Sequence, residues 1–247
     1  MLLPAPEILI FPGLDGQPSL RRGLVGALEP HFAVRAVPLP NALDHDYRTL
    51  AEAYASTLPD RPVLLVGESF SGPLVAMIAE RRPDVVVGTV FLSTFARLHA
   101  PRALVRALLA VPFRHLPMRL ISWAMKGKDE TLSLRDKLAE SLRQAPEPLL
   151  KHRIRLALAV DVRDLLTRLP VPMLVVHGRK DRIVWPWQTR VFRKARPDCR
   201  IVSLDGPHML LEAKPGEVAS AIRSFIADLA DLAAGGAAAT LRMQTAT

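Results

Sequence analysis

The chain has 247 residues, of which 49% are apolar, 5% are aromatic and one, Cys199, is a cysteine. That length can bury a full core, the lone cysteine excludes an internal disulfide framework and favours a reducing compartment, and no apolar stretch reaches the roughly 18–20 residues of a membrane span. The formal net charge of +9 is unevenly spread, because 13 Lys or Arg stand against 5 Asp or Glu between Thr94 and Val160.

Short apolar runs alternate with amphipathic stretches of helical length. Glu7–Phe11 reads as a strand ending at Pro12-Gly13, and Ala33–Val37 as a second. Val63–Val66 is a third, Val85–Leu92 a fourth, Met173–Val176 a fifth and Arg200–Leu204 a sixth. Helices are expected over Ser19–Leu28, Tyr47–Thr57, Ser71–Glu80, Trp187–Ala195 and Gly216–Leu229. Several strand runs are almost continuously apolar, as burial on both faces of a parallel sheet requires. The β–α alternation predicts an α/β fold, with a mostly parallel sheet of about six strands flanked by helices. From Thr94 to Leu169 the strand pattern stops and prolines separate helical segments. The expected organisation is therefore a core over residues 1–93 and 170–230, a helical cap insertion over 94–169, and a flexible tail over 231–247. The first ten residues lack a positive n-region and include Glu7, so no signal peptide is expected and the cytoplasm is the expected location.

Ligands of such sheets meet the loops at the C-terminal ends of the strands. The third strand runs into Gly67-Glu68-Ser69-Phe70-Ser71-Gly72 and then a helix. That is close to the nucleophile elbow G-x-S-x-G, in which small residues let strand and helix approach around a strained serine. Ser69 is the candidate nucleophile, although a serine here can also serve as an N-cap. After the fifth strand comes Asp181, which can orient a histidine or simply pair with Lys180 or Arg182 at the surface. After the sixth comes His208, in Gly206-Pro207-His208. His177 reads as a strand-end packing residue. The order Ser69, Asp181, His208 matches the nucleophile–acid–base order of such elbows. The glycine-rich turn Phe11-Pro12-Gly13-Leu14-Asp15-Gly16 can aim a backbone N–H into the site. The expected oxyanion hole is the N–H of Leu14 with that of Phe70.

These four segments resemble the α/β-hydrolase superfamily, in particular small capped serine esterases and acyl hydrolases, over about Glu7 to Leu229. The resemblance implies a hydrolase without cofactor or metal, with a lid over its pocket. The chain departs from the family pattern in three places. It begins at the strand leading to the oxyanion turn, Pro12 stands where a histidine is common, and Ser71 stands where a glycine is usual. The absence of an aspartate nucleophile argues against dehalogenase or epoxide-hydrolase chemistry.

The expected reaction is cleavage of a carboxylic ester or thioester of a hydrophobic acyl substrate through an acyl-enzyme. The same three residues also suit an acyltransferase, a C–C hydrolase, a lyase or a ligand-binding module that turns nothing over. In the insertion, Arg102 and Arg106 share one helical face while Leu104, Val105 and Leu108 lie largely away from it. The basic face can be a solvated surface, a dock for an acidic carrier such as an acyl carrier protein or coenzyme A, or a contact with an anionic membrane. Nucleic acid is not expected, since no aromatic-interleaved basic groove is present.

Overall fold

The computed structural model describes residues 5–98, 109–112, 125 and 145–244. The basic stretches that contain Arg102 and Arg106, and Met118 to Trp123, lie outside the described residues. Strands β1 (Glu7–Phe11), β2 (Val34–Ala36), β3 (Val63–Glu68), β4 (Val86–Leu92), β5 (Met173–Gly178) and β6 (Arg200–Leu204) form one sheet in the order β2-β1-β3-β4-β5-β6. Every neighbouring pair is parallel.

The near-continuous apolar runs follow from helices on both faces. Leu9, Phe11, Leu65, Phe91 and Val175 alternate to one face. There they pack on α2 (Tyr47–Ser56), α3 (Ser71–Arg81), α5 (Arg163–Arg168) and α6 (Gln188–Ala195), through Leu50, Leu74, Ile78, Leu166 and Phe192. Ile8, Ile10, Leu64, Val66, Val90, Leu92, Leu174 and Val176 alternate to the other face. They meet α1 (Arg22–Leu28), α7 (Leu210–Ala213) and α8 (Pro215–Gln244), through Leu24, Leu28, Leu210, Val218, Ile222 and Phe225. Each such side chain, fully buried, contributes roughly 1.5–3 kcal/mol of transfer free energy, against the entropy of ordering it.

Chain order reverses between β1 and β3, so the switch point of the sheet opens between their C-terminal ends. In register, Phe11 faces Gly67 and Glu68 faces Leu92. The elbow and the glycine-rich turn therefore emerge side by side. Between β4 and β5, α4 (Glu147–Ala159) and α5 are helical, in the part of the insertion that the structure describes.

Two boundaries differ from the sequence reading. The first helix starts later, because Pro18–Arg21 forms a 3-10 turn ahead of α1. The last helix does not stop near Leu229. The stretch read as a flexible tail after Asp231 is helical as far as Gln244. Its alanines have the highest helix propensity of any residue, and they outweigh Gly235 and Gly236.

Candidate active site

Ser69 sits between the end of β3 and α3 with φ +48°, a left-handed conformation that non-glycine residues rarely adopt. The surroundings enforce it. The Ser69 N–H donates to the Leu92 carbonyl at 3.0 Å, and the Thr94 hydroxyl donates to the Ser69 carbonyl. A Cβ on Gly67 would lie 2.5 Å from the Ser71 carbonyl oxygen, and one on Gly72 would fall into the Thr94 side chain. Ser71, in place of the usual glycine, is fully buried and its hydroxyl donates to the Pro12 carbonyl. The substitution thus ties the elbow to the glycine-rich turn.

Asp181 is buried on the loop after β5. Its Oδ1 accepts the N–H groups of Ile183 and Val184, both at 2.8 Å. Oδ2 lies 2.8 Å from His208 Nδ1, and His208 Nε2 lies 3.0 Å from Ser69 Oγ. The carboxylate can only accept, so Nδ1 carries the proton and Nε2 accepts from the serine hydroxyl. Asp181 is buried rather than at the surface, and Lys180, one of its two candidate surface partners, pairs instead with Asp205 at 2.9 Å. The histidine loop reaches the acid loop because Gly178 lacks a side chain. A Cβ there would meet the carbonyl oxygens of Gly206 and Pro207 at 2.4 and 2.5 Å.

Burial opposes a charge on His208, but the Asp181 carboxylate and its hydrogen bond outweigh that, and Glu68 adds to them. The net effect raises the imidazole above its ordinary value. His177 shifts the other way because burial dominates, and its Nε2 donates to the Val184 carbonyl at 2.9 Å. It is a buried strand-end residue, as the sequence suggests.

The turn Gly13-Leu14-Asp15-Gly16 closes with the Gly16 N–H donating to the Gly13 carbonyl at 3.0 Å, and Gly16 takes φ +72°. The Gly13 N–H donates to Glu68 Oε2 at 3.2 Å. Asp15 and Glu68 both receive the Arg21 guanidinium, which is 2% exposed. Among the described residues, neither the Leu14 N–H nor the Phe70 N–H is taken by another group of the chain. Phe70 is itself fixed, with its ring stacked on Tyr47 and its carbonyl accepting the Tyr47 hydroxyl at 2.7 Å.

The sequence reading did not find Arg21, Glu68 or Arg153. Glu68 stands at the variable position of the elbow and Arg21 in an ordinary polar stretch, so no local signal marks them. Arg153, on α4, donates from Nη1 to the Leu14 carbonyl and from Nη2 to the Pro40 carbonyl, both at 2.9 Å.

A serine hydroxyl backed by an imidazole, itself backed by a carboxylate, can attack an electrophilic carbon while losing its proton. The model of the family Serine aminopeptidase, S33 matches residues 35–212. The chain belongs to this α/β-hydrolase family. It is 27% identical over 245 residues to a pimeloyl-[acyl-carrier protein] methyl ester esterase from Aeromonas hydrophila, covering 90% of this chain and 95% of that one. A protein of the same name from Neisseria meningitidis serogroup A is 25% identical, over 86% of this chain and 74% of its own length. Among solved structures, an enol-lactonase from Burkholderia xenovorans superposes with a TM-score of 0.78 at 20% identity, covering 91% of this chain and 92% of that one. A bromoperoxidase from Bacillus anthracis reaches 0.80 at 18% identity, covering 91% and 93%. At these identities the structural likeness establishes the α/β-hydrolase fold alone.

Proposed function

We propose that this chain hydrolyses the ester of an acyl group borne on an acidic carrier protein, with Ser69 as nucleophile, His208 as general base and Asp181 as the group that orients it. The chain is an ester-cleaving serine hydrolase. The observation that carries the residue roles is the pair of hydrogen bonds at 2.8 and 3.0 Å that joins carboxylate, imidazole and hydroxyl.

In this reading Ser69 Oγ forms a bond to the ester carbonyl carbon as its proton passes to His208 Nε2. The oxyanion rests on the N–H groups of Leu14 and Phe70. Collapse breaks the bond to the alcohol, which leaves with the proton from His208. Water then attacks the acyl-enzyme, His208 takes its proton and returns it to Ser69, and the carboxylic acid departs.

The family description names a peptidase, but amide and ester cleavage use the same relay. The sequence relatives that cover most of this chain are named as methyl ester esterases of an acyl-carrier-protein substrate. The basic excess between Thr94 and Val160 supports an acidic carrier as the partner. Among the described residues no helix is long and apolar enough to cross a membrane. The single, buried Cys199, whose thiol is pushed up by burial, fits a reducing cytoplasm.

The test is activity-based labelling with a fluorophosphonate, followed by turnover of a methyl ester presented free and on an acyl carrier protein. The expected result is modification at Ser69 and loss of at least about a thousandfold in turnover for Ser69→Ala. Full activity in that variant overturns the assignment of the nucleophile. Equal turnover of the free and carrier-borne esters overturns the carrier.

A further inference from the structure

We infer that Arg153 is a positioning residue for the oxyanion turn, so that the segment between β4 and β5 sets the geometry of the donor on β1's loop. The inference rests on the reading of the Leu14 N–H as an oxyanion donor.

Around Gly13-Leu14-Asp15-Gly16, each anchor comes from a different direction. The Gly13 N–H is held by Glu68 from the end of β3. The Asp15 carboxylate is held by Arg21 from the 3-10 turn. The Leu14 carbonyl is held by Arg153 Nη1 from α4. What these anchors leave unengaged is the Leu14 N–H, the group a developing oxyanion requires. The Leu14 N–H shares its peptide with the Gly13 carbonyl, which accepts from the Gly16 N–H, and the next peptide carries the Leu14 carbonyl held by Arg153; with both flanking peptides held, the torsions of Leu14 and the direction of its N–H are set.

Two further observations show that Arg153 does more than fill a seam. It is only 3% exposed, yet among the described residues no carboxylate lies within ion-pair distance. Burial pushes its guanidinium toward the neutral form, with Asp15 acting against that from farther off. An apolar side chain of similar volume would close the seam at lower desolvation cost. What the guanidinium adds is two directional bonds, one to the turn and one to Pro40. The guanidinium lies against Gly16, whose φ of +72° already calls for glycine in this turn.

The test compares wild type with Arg153→Met and Arg153→Lys. Each is measured for kcat and KM on 4-nitrophenyl acetate, for the rate of fluorophosphonate modification at Ser69, and for thermal unfolding. For Arg153→Met, kcat and the modification rate are expected to fall together by roughly 10- to 100-fold, with KM within about threefold, in protein that still unfolds cooperatively. Arg153→Lys keeps the charge but reaches one carbonyl and should fall in between. An Arg153→Met enzyme with unchanged kcat and modification rate, or one altered in KM alone, overturns the inference while the serine reading stands. Absence of modification at Ser69 in wild type removes the serine reading and this inference with it.

Discussion

A carboxylate that accepts two backbone N–H groups on one oxygen has only the other left for an imidazole. Asp181 is in that state, and its position is therefore set by the chain around Ile183 and Val184 rather than by His208. Asp181→Asn keeps the size but can present an NH₂ to Nδ1 and reverse the tautomer. Turnover of a neutral ester is expected to fall by roughly a thousandfold or more with the fold intact, checked by steady-state kinetics beside circular dichroism. Proton balance supplies a second test. His208 must be neutral to act as base, and Asp181 raises its affinity for a proton. The acid limb of kcat/KM should lie above the roughly 6.5 of a free imidazole, with activity lost as pH falls through it. Removing the Asp181 charge should move that limb downward. For stability the sign is opposite: a raised histidine stabilises the fold at acid pH, and the contribution fades as pH rises through the folded value. The convergence of Ser69, Asp181 and His208 was legible in the sequence because each lies within four residues of a strand's C-terminal end, where a local pattern fixes its place. Arg21 and Arg153 were not, because their partners lie on other elements and no pattern in sequence records which buried arginine meets which turn.

Close approach of backbone to backbone decides the next level. At Gly178 the end of β5 lies under the loop that follows β6, with room for a hydrogen but not for a methyl group. Gly178→Ala should push the histidine loop outward. We expect kcat to fall at least about tenfold, with a loss of roughly 1–3 kcal/mol in urea unfolding. Arg21 joins the 3-10 turn to the ends of β1 and β3 through two buried carboxylates. Arg21→Met leaves Asp15 and Glu68 buried without their cation and should cost about 3–5 kcal/mol in the same measurement. The strands themselves were readable, because a run apolar on both faces has few other solutions. The length of α8 was not, since an alanine-rich stretch carries no periodicity to show where a helix stops.

Over the molecule as a whole, charge and chemistry occupy different stretches of chain. The relay comes from the loops after β3, β5 and β6, whereas most of the basic excess lies between β4 and β5. Raising salt should therefore depress kcat/KM for a carrier-borne ester several-fold and leave a neutral free ester almost unchanged, as a titration from low to physiological ionic strength would register. The sheet explains how the two can coexist. Strands β4 and β5 are direct parallel neighbours, with Thr89 opposite Met173 and Leu92 opposite Val176, so the segment between them leaves at the C-terminal edge of the sheet and crosses to the N-terminal edge, where β5 begins. Such an excursion can be lengthened, shortened or rewritten without disturbing the pairing that holds the hydroxyl, imidazole and carboxylate together. Changes in that segment can therefore alter what reaches the site while the hydrogen bonds among Ser69, His208 and Asp181 stay in place, as long as Arg153 still meets the Leu14 carbonyl.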